Sequence, residues 1–405
     1  MEFSANPAAA RLAAEVRAFL GEHLTDEVRA EMRRTGTFHH AGLHRAMAER
    51  GWVEAAIPGA PGGHDPFELA AVFAELELAE APYHGLATTM IVAGVLSRCA
   101  SPSLRDSVLP RIVAGEVIVS LGYSEPDSGS DVAAARTRAE PVDEAATAWR
   151  INGQKMWTSL ANVAQYVLLL TRTDPDAPKH RGLTMFLVPL DADGVSIQPV
   201  RTMGDERTNA TFYDDVVVGD DHRVGGVHEG WSVMAVALAF ERGVVGGALE
   251  STALYHHVRR WASASAGPDG RPLLDRPAWR EALARARIDN EVSWLLSQRS
   301  AWMAASGGLP SVEGSMVKLF ATGAYQRAAN RFAELAGPSG LLRDGEPGAA
   351  AGGAVDRSLR HAPVTTIYGG TSEIQRNNIA ERHLGLPRAR PSSAPAGGRS
   401  GGRQE

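Results

Sequence analysis

The chain has a single cysteine, Cys99, so it forms no internal disulfide, and a reducing compartment suits it. No uninterrupted apolar run reaches the ~20 residues that a membrane-spanning helix needs, so no membrane insertion is expected. The first residues, Met1-Glu2-Phe3-Ser4-Ala5-Asn6-Pro7, lack the basic-then-apolar layout of a signal peptide. A cytoplasmic location is the expectation. Neither sign of charge dominates: 41 basic against 47 acidic side chains leave a net charge of -6 and a pI near 6.1. That balance gives no basic surface for nucleic acid or an anionic membrane. Among the histidines of the first quarter, His39, His40, His44, His64 and His84 have no metal-ligand spacing, and no metal site is expected.

What is present is ordinary globular composition on a long chain. Of 405 residues, 44% are hydrophobic and 22% charged, enough for a large core and two or three domains. From Pro7 to about residue 114 apolar residues recur at helical spacing, as in Leu12, Val16, Phe19 and Leu20, and again in Leu69, Val72, Phe73, Leu76 and Ala79. Around Ile118 the period changes. Segments 136–141, 149–156, 166–173, 183–189, 195–201 and 210–218 are short and rich in β-branched or aromatic residues. Turn residues such as Asn152-Gly153 and Asp191-Ala192-Asp193-Gly194 separate them. Repeated short strands without helices between them predict a compact antiparallel β domain, a small barrel. Helical periodicity returns at Trp231 and continues to about Leu384. The expected organisation is α+β: a helical domain at 1–118, a β domain at 119–226, a helical domain at 227–387 and a disordered Pro/Gly/Ser/Arg-rich tail at 388–405.

Three stretches concentrate polar groups. In Gly122-Tyr123-Ser124-Glu125-Pro126-Asp127-Ser128-Gly129-Ser130-Asp131, small residues and hydroxyls suit either a plain turn or a cradle for a flat heterocycle or phosphate. In Ile151-Asn152-Gly153-Gln154-Lys155-Met156-Trp157-Thr158-Ser159, an aromatic face and two hydroxyls adjoin. In Ile367-Tyr368-Gly369-Gly370-Thr371-Ser372-Glu373-Ile374-Gln375-Arg376, Thr371 or Ser372 is a natural helix N-cap, and the helix aims its positive end at whatever precedes it.

A fourth stretch, Leu238 to Leu249, carries one carboxylate in an apolar setting. Helical spacing lines Glu241 up with Val233, Ala237, Val244, Val245 and Ala248, while Gly243, Gly246 and Gly247 let something approach the backbone. A buried carboxylate on such a face is a general base for an apolar substrate. The alternative is an exposed glutamate at a frayed helix end. On the later helices, Ala284, Ile288, Val292 and Leu295 form an apolar stripe that serves either an oligomer interface or an intrachain core.

Taken together these stretches resemble the acyl-CoA dehydrogenase family. The carriers are Ser-Glu-Pro-x-x-Gly-Ser-Asp from Ser124, Asn-Gly-x-Lys-x-Trp-Thr-Ser from Asn152, Asp-Glu-Arg-Thr-Asn from Asp205 with Phe212-Tyr213-Asp214-Asp215-Val216, and Tyr-Gly-Gly-Thr-Ser-Glu-Ile-Gln-Arg from Tyr368. They stand in the family's order and spacing, and the resemblance covers the chain from Pro7 to Pro387.

It implies a helical domain, a small β-barrel domain and a four-helix-bundle-like domain. It also implies an FAD enzyme that oxidises an acyl thioester, acyl-CoA above all, between the α and β carbons and passes electrons to an electron-transferring flavoprotein. By the resemblance, Tyr123, Ser124, Gly129 and Ser130 hold the isoalloxazine ring, Trp157 and Ser159 flank its other face, and Thr371 and Glu373 reach the cofactor from the C-terminal helix. Ser130, Phe240, Arg242, Tyr368 and Gly370 fall on the substrate side. Many members place the catalytic Glu directly after the Tyr of this last motif, where this chain has Gly369. A minority place it on the helix after the β domain, where Glu241 stands. Gly369 then offers only its backbone N–H, as a donor to the thioester carbonyl. The family's Arg-x-x-Phe-Gly motif is missing, with Arg259-Arg260-Trp261 in its region, and Leu160 stands where small or polar residues are usual. A homodimer or homotetramer is implied, with a heteromer or a silent subunit as alternatives, along with a carrier-protein thioester or an oxygen-using chemistry.

Overall fold

The computed structural model describes residues 6–57, 60, 63–244, 250–306 and 312–387, except the side chains of residues 56 and 241–244. The expected tail at 388–405 lies outside the described residues.

Six helices open the chain: α1 (Pro7–His23), α2 (Asp26–Thr35), α3 (Ala41–Glu49), α4 (Pro66–Leu78), α5 (His84–Cys99) and α6 (Pro102–Val113). Their starts are written into the sequence. Asn6 Oδ1 accepts from Ala8 N–H at 2.9 Å, with Pro7 as first helical residue. Asp65 and Glu68 form a reciprocal capping box around Pro66, and Ser101 caps α6 ahead of Pro102. The rows Leu12, Val16, Phe19, Leu20 and Leu69, Val72, Phe73, Leu76 are buried as their spacing predicts. Helix α5 is buried on nearly every side, because it runs through the centre of this cluster.

The strands are β1 (Val119–Gly122), β2 (Arg138–Pro141), β3 (Ala148–Lys155), β4 (Tyr166–Arg172), β5 (Leu183–Pro189), β6 (Val195–Arg201), β7 (Arg207–Gly219) and β8 (Arg223–Val224). They pair in the order β6-β7-β3-β2-β4-β5-β8, with β1 also on β4. The expected antiparallel pattern needs one correction: the pairings β1–β4 and β2–β4 are parallel, so the sheet is mixed. The reason is local. β1 pairs with Tyr166 to Leu169, and β2 meets β4 again at Arg172, in the same direction. The chain thus leaves the edge of β4 and rejoins it, and the excursion between is the polar 123–131 stretch.

β4 and β5 read as unbroken apolar runs because both their faces are covered. Leu168, Leu170, Met185 and Leu187 join the helical core, while Val167, Leu169, Phe186 and Val188 join a second core with Trp149, Ile151 and Tyr213.

The remaining helices are α7 (Gly230–Val244), α8 (Glu250–Ala264), α9 (Pro277–Ala305), α10 (Glu313–Ala336), α11 (Ala354–Thr365) and α12 (Ser372–Arg382). Val233, Met234 and Ala237 of α7 pack into the first helical core, whereas α8 to α11 enclose their own around Leu254, Val258, Trp279, Tyr325 and Phe332. Helix α9 turns Trp279, Ala282, Leu283 and Ala286 inward. Its other apolar row faces out, with Ile288 62% exposed and Ala284 and Leu295 also exposed. The intrachain-core reading of that stripe therefore does not hold.

Candidate active site

The excursion from the edge of β4 is held from beneath by one buried ion pair. Glu125 Oε1 lies 2.7 Å from Lys155 Nζ of β3, and its two oxygens also accept the N–H groups of Arg136 and Thr137 at 2.7 and 2.8 Å. Burial pushes the Glu125 carboxyl up, but Lys155 and these N–H groups outweigh it and hold it below 4.5. Lys155 donates as well to the Tyr123 carbonyl at 3.3 Å, and Met156 N–H to the Ser124 carbonyl at 2.9 Å. With these anchors below, Gly129 and Ser130 stay exposed on the outer side, and Ser124 half-buried. A Cβ added at Gly129 would meet no atom within 4 Å, so the backbone there is open to a ligand. Ser128 Oγ is buried and has no partner among the described residues.

Directly after β3, Trp157 takes a left-handed backbone conformation with φ +62°, and 57% of it is exposed. A large non-glycine residue adopts that conformation only when its surroundings hold it. Here fully buried Asn209 does so. Its carbonyl accepts Thr158 N–H at 2.9 Å, and its Nδ2 donates to the Thr158 carbonyl at 3.0 Å and to Asn162 Oδ1 at 3.1 Å. Ser159 Oγ pairs with Thr208 Oγ1 at 3.2 Å, and Leu160, also left-handed, is packed inside. An indole face is thus presented next to the hydroxyl-rich turn. An open glycine, an unpartnered buried hydroxyl and a held-out aromatic ring fit a flat, hydrogen-bonding heterocycle.

The third stretch is a turn from α11 into α12. Gly369 and Gly370 have φ of +60° and +87°, and a Cβ at Gly370 would come within 2.8 Å of Gln375 Nε2. Buried Gln375 donates to both of their carbonyls at 3.0 and 3.1 Å. Lys318 of α10 donates to the Thr365 and Gly370 carbonyls at 3.1 and 2.9 Å and lies 5.5 Å from the centre of the Tyr368 ring. Thr371 is the N-cap, accepting from Ile374 N–H at 3.3 Å, and Glu373 stands exposed in the first turn.

The β domain reaches this last turn through α11. His361 Nδ1 lies 2.8 Å from Glu206 in the turn between β6 and β7. Arg360 grips the same turn through the Met203 carbonyl at 2.9 Å and the Asp205 carboxylate, and its own helix through Asp356 at 2.8 Å. Arg357 pairs with Glu80 at 2.7 Å, and His257 of α8 approaches the same carboxylate at 3.3 Å. Although burial opposes it, these partners hold the Glu80 carboxyl at about 2. Tyr368 is exposed, with 46% of its surface accessible. Burial first, then the charges of Glu77, Glu250 and Glu206, raise the Tyr83 phenol well above 10.

Residue 241 lies near the end of α7, on the helical row of Val233 and Ala237, but the side chains of Glu241 and Arg242 lie outside the described residues. Phe240 sets its ring against α5: a Cβ at Gly94 would come within 2.6 Å of it, and the Arg98 guanidinium stands 4.9 Å from its centre.

Sequence reasoning missed Lys155, Lys318 and the Glu206–His361 pair. The signal for Lys155 was available: it sits an even number of residues from inward-facing Trp149 and Ile151, on a strand whose other polar residues point out. The bulge at 151–153 disturbs that count.

Comparison with known proteins identifies the family. Family models for the acyl-CoA dehydrogenase N-terminal, middle and C-terminal domains match residues 6–116, 120–216 and 228–384. Acyl-CoA dehydrogenase FadE26 of Mycobacterium tuberculosis (strain ATCC 25618 / H37Rv) is 34% identical over 403 residues, covering 96% of this chain and all of that protein. Among solved structures, the ChsE4-ChsE5 complex from Mycobacterium tuberculosis is similar with a TM-score of 0.87 and 33% identity, covering 96% of this chain and all of the matched one. A structure described as the Tcur3481-Tcur3483 steroid ACAD is similar with a TM-score of 0.83 and 29% identity, over 96% of this chain and all of the other.

Proposed function

The chain belongs to the acyl-CoA dehydrogenase family, and from that premise we propose that it is an FAD-dependent enzyme that converts a saturated acyl-CoA to the trans-2-enoyl thioester. In this reading Tyr123, Ser124, Gly129 and Ser130 hold the pyrimidine side of the isoalloxazine ring. Trp157 and Ser159 lie along its other face, and Thr371 and Glu373 reach it from the start of α12. When bound, FAD supplies the acceptor for the hydride leaving the β-carbon. The chain's own residues do the rest. The Glu241 carboxylate takes the α-proton, and Gly369 N–H donates to the thioester carbonyl, spreading the negative charge that develops as the C–H bond breaks. Ser130, Phe240, Arg242, Tyr368 and Gly370 border the substrate.

The observation that carries the reading is the continuous frame from Ser124 through Met156, Asn209, Glu206 and His361 to Tyr368. It ties the four stretches that carry the family resemblance to one another. Domains at 1–118, 119–226 and 227–387, a cytoplasmic location and an electron-transferring flavoprotein as acceptor belong to the same reading. Among the described residues no helix is long and apolar enough to cross a membrane.

The exposed apolar row of α9 supports assembly into a homodimer or dimer of dimers. A second reading, pairing with a related but different chain, is favoured by the two similar structures whose descriptions name two partners each. Similarity to a steroid ACAD favours a bulky acyl group.

The test is a reduction screen. Flavin-loaded protein, alone and with any co-purifying chain, is mixed anaerobically with straight-chain, branched and steroid-borne acyl-CoAs and with carrier-protein thioesters, and flavin bleaching is followed. Bleaching by an acyl-CoA supports the reading. Bleaching only by carrier-bound thioesters replaces the substrate, and no bleaching by any thioester overturns the function.

A further inference from the structure

The turn that joins α11 to α12 is shaped from underneath. Gly369 and Gly370 both take left-handed conformations, with φ of +60° and +87°. Glycine has little preference of its own, so hydrogen bonds decide which way each peptide faces. The Gly369 carbonyl accepts from Gln375 Nε2 at 3.0 Å. The Gly370 carbonyl accepts from the same group at 3.1 Å and from Lys318 Nζ at 2.9 Å. Lys318 also donates to the Thr365 carbonyl at 3.1 Å, at the end of α11. One ammonium thus grips the turn on both sides of Tyr368 and Gly369.

The peptide plane turns these contacts into a direction. In a trans peptide the C=O and the N–H that follows it point opposite ways. With the Gly369 and Gly370 carbonyls drawn toward Gln375 and Lys318, the Gly370 and Thr371 N–H groups face away from those side chains. Tyr368 N–H goes to the Val364 carbonyl at 3.2 Å and Ser372 N–H to the Thr366 carbonyl at 3.0 Å. Gly369 and Gly370 N–H have no acceptor among the described residues, and Gly369 is exposed, so both are open to a ligand oxygen.

The anchor is rigid and charged. Lys318 stands on α10 between buried Val317 and buried Ala321, and its ammonium lies 5.5 Å from the centre of the Tyr368 ring. Glu373 and Arg376, in the first turns of α12, pair with each other at 3.7 Å and face solvent. The reading above, on which this inference rests, brings the thioester carbonyl to Gly369 N–H. As the α C–H bond breaks, its electron pair spreads onto that oxygen, and the direction of the donors counts most at that moment.

We propose that Lys318 is a positioning residue for this reaction: it fixes the Gly369–Gly370 turn so that the open N–H groups meet the thioester oxygen. Its grip is charge-assisted at two carbonyls, which a neutral side chain does not match.

The probe is the 3-oxo counterpart of the acyl-CoA that bleaches the flavin best. A 3-oxoacyl thioester ionises to an enolate without electron transfer, so its pKa when bound reports how well charge on the oxygen is met. Flavin-loaded wild type and Lys318→Met are titrated with it by absorbance across pH, and their anaerobic reduction by the acyl-CoA at saturation is timed. In Lys318→Met the bound enolate's pKa rises by about one unit and reduction slows about tenfold or more. FAD content and the dissociation constant for acyl-CoA stay within about twofold of wild type. Should Lys318→Met load no flavin, Lys318→Gln decides by the same two readings, with shifts in the same direction. An unmoved enolate pKa overturns the inference alone, whether or not reduction slows. Wild-type protein that neither ionises the 3-oxoacyl-CoA nor is reduced by any acyl-CoA overturns the acyl-thioester reading, and the inference with it.

Discussion

Lys155 Nζ lies 2.7 Å from Glu125 Oε1, with the ammonium wholly inside the protein. The pair joins the last residue of β3 to the turn that carries Tyr123, Ser124 and Ser130, so a buried charge couples the fold to the candidate flavin site. Removing one partner strands the other, which costs about 3–5 kcal/mol. Lys155→Met is therefore expected to lose roughly that much stability in urea denaturation and to release FAD on gel filtration. The double variant Lys155→Met with Glu125→Leu recovers much of the stability, because no lone charge remains. Full stability in the single variant would refute the coupling. The sign with pH follows from Glu125: its folded pKa lies below 4.5, so its contribution is complete above that value and is lost as pH falls through the lower folded one.

The clamp between Glu206 and His361 has the opposite dependence on its imidazole side. Burial pushes His361 down, but the bond to Glu206 and its charge outweigh it and raise the pKa above 6.5. The contribution of His361 is thus full below 6.5 and is lost as pH rises through the folded value. His361→Gln should be clearly less stable than wild type at about pH 6, with the difference shrinking toward about pH 9. Melting temperatures across that range check it, and a difference that grows with pH contradicts it.

His44 titrates on the acid side for a different reason. It is only 1% exposed, both ring nitrogens lack partners among the described residues, and burial lowers its pKa to about 4. The folded state therefore holds it neutral, and stability falls as pH drops from 6.5 toward 4, by up to about 3 kcal/mol. His44→Leu removes two unsatisfied nitrogens and should match or exceed wild-type stability at neutral pH. Its acid loss should be shallower, with neighbouring His39, lowered to about 3 chiefly by burial, still contributing. A variant as acid-labile as wild type would place the lability elsewhere.

The sequence disclosed what is periodic or capped. The rows of α1 and α4, the Asp65–Glu68 box and the runs of β4 and β5 are local patterns with local causes. It did not disclose direction: whether β1 and β2 run parallel to β4 depends on the chain resuming its course after the 123–131 excursion, which no local pattern records. The motifs showed where polar groups gather, but not that Lys155, Gln375 and Lys318 spend theirs on holding turns. Nor could spacing reveal that Glu206 meets His361, or that Glu80 meets Arg357 and His257, across distant segments. The outward face of α9 was ambiguous for a similar reason. A stripe tells which residues share a side, and only packing tells which side is in.

Glu241→Gln is the decisive change for the proposed chemistry. The backbone of α7 sets residue 241 one turn beyond Ala237 and two beyond Val233, both buried in the first helical core. With Gly369 directly after Tyr368, the position that many members give to the base carries no carboxylate here. An α-proton of a thioester is weakly acidic, and its removal needs a carboxylate within hydrogen-bond reach together with a polarised carbonyl. Glutamine keeps the shape and the hydrogen-bonding capacity but cannot take the proton. General bases contribute about 10²–10⁴-fold, so anaerobic stopped-flow reduction should slow by at least about 100-fold. FAD content and melting temperature should stay near wild type, since glutamine has the shape of glutamate and removes a charge that is costly to bury. The dissociation constant for acyl-CoA should change little, which separates a lost base from a damaged pocket. A variant that still reduces its flavin at close to the wild-type rate removes Glu241 from the mechanism.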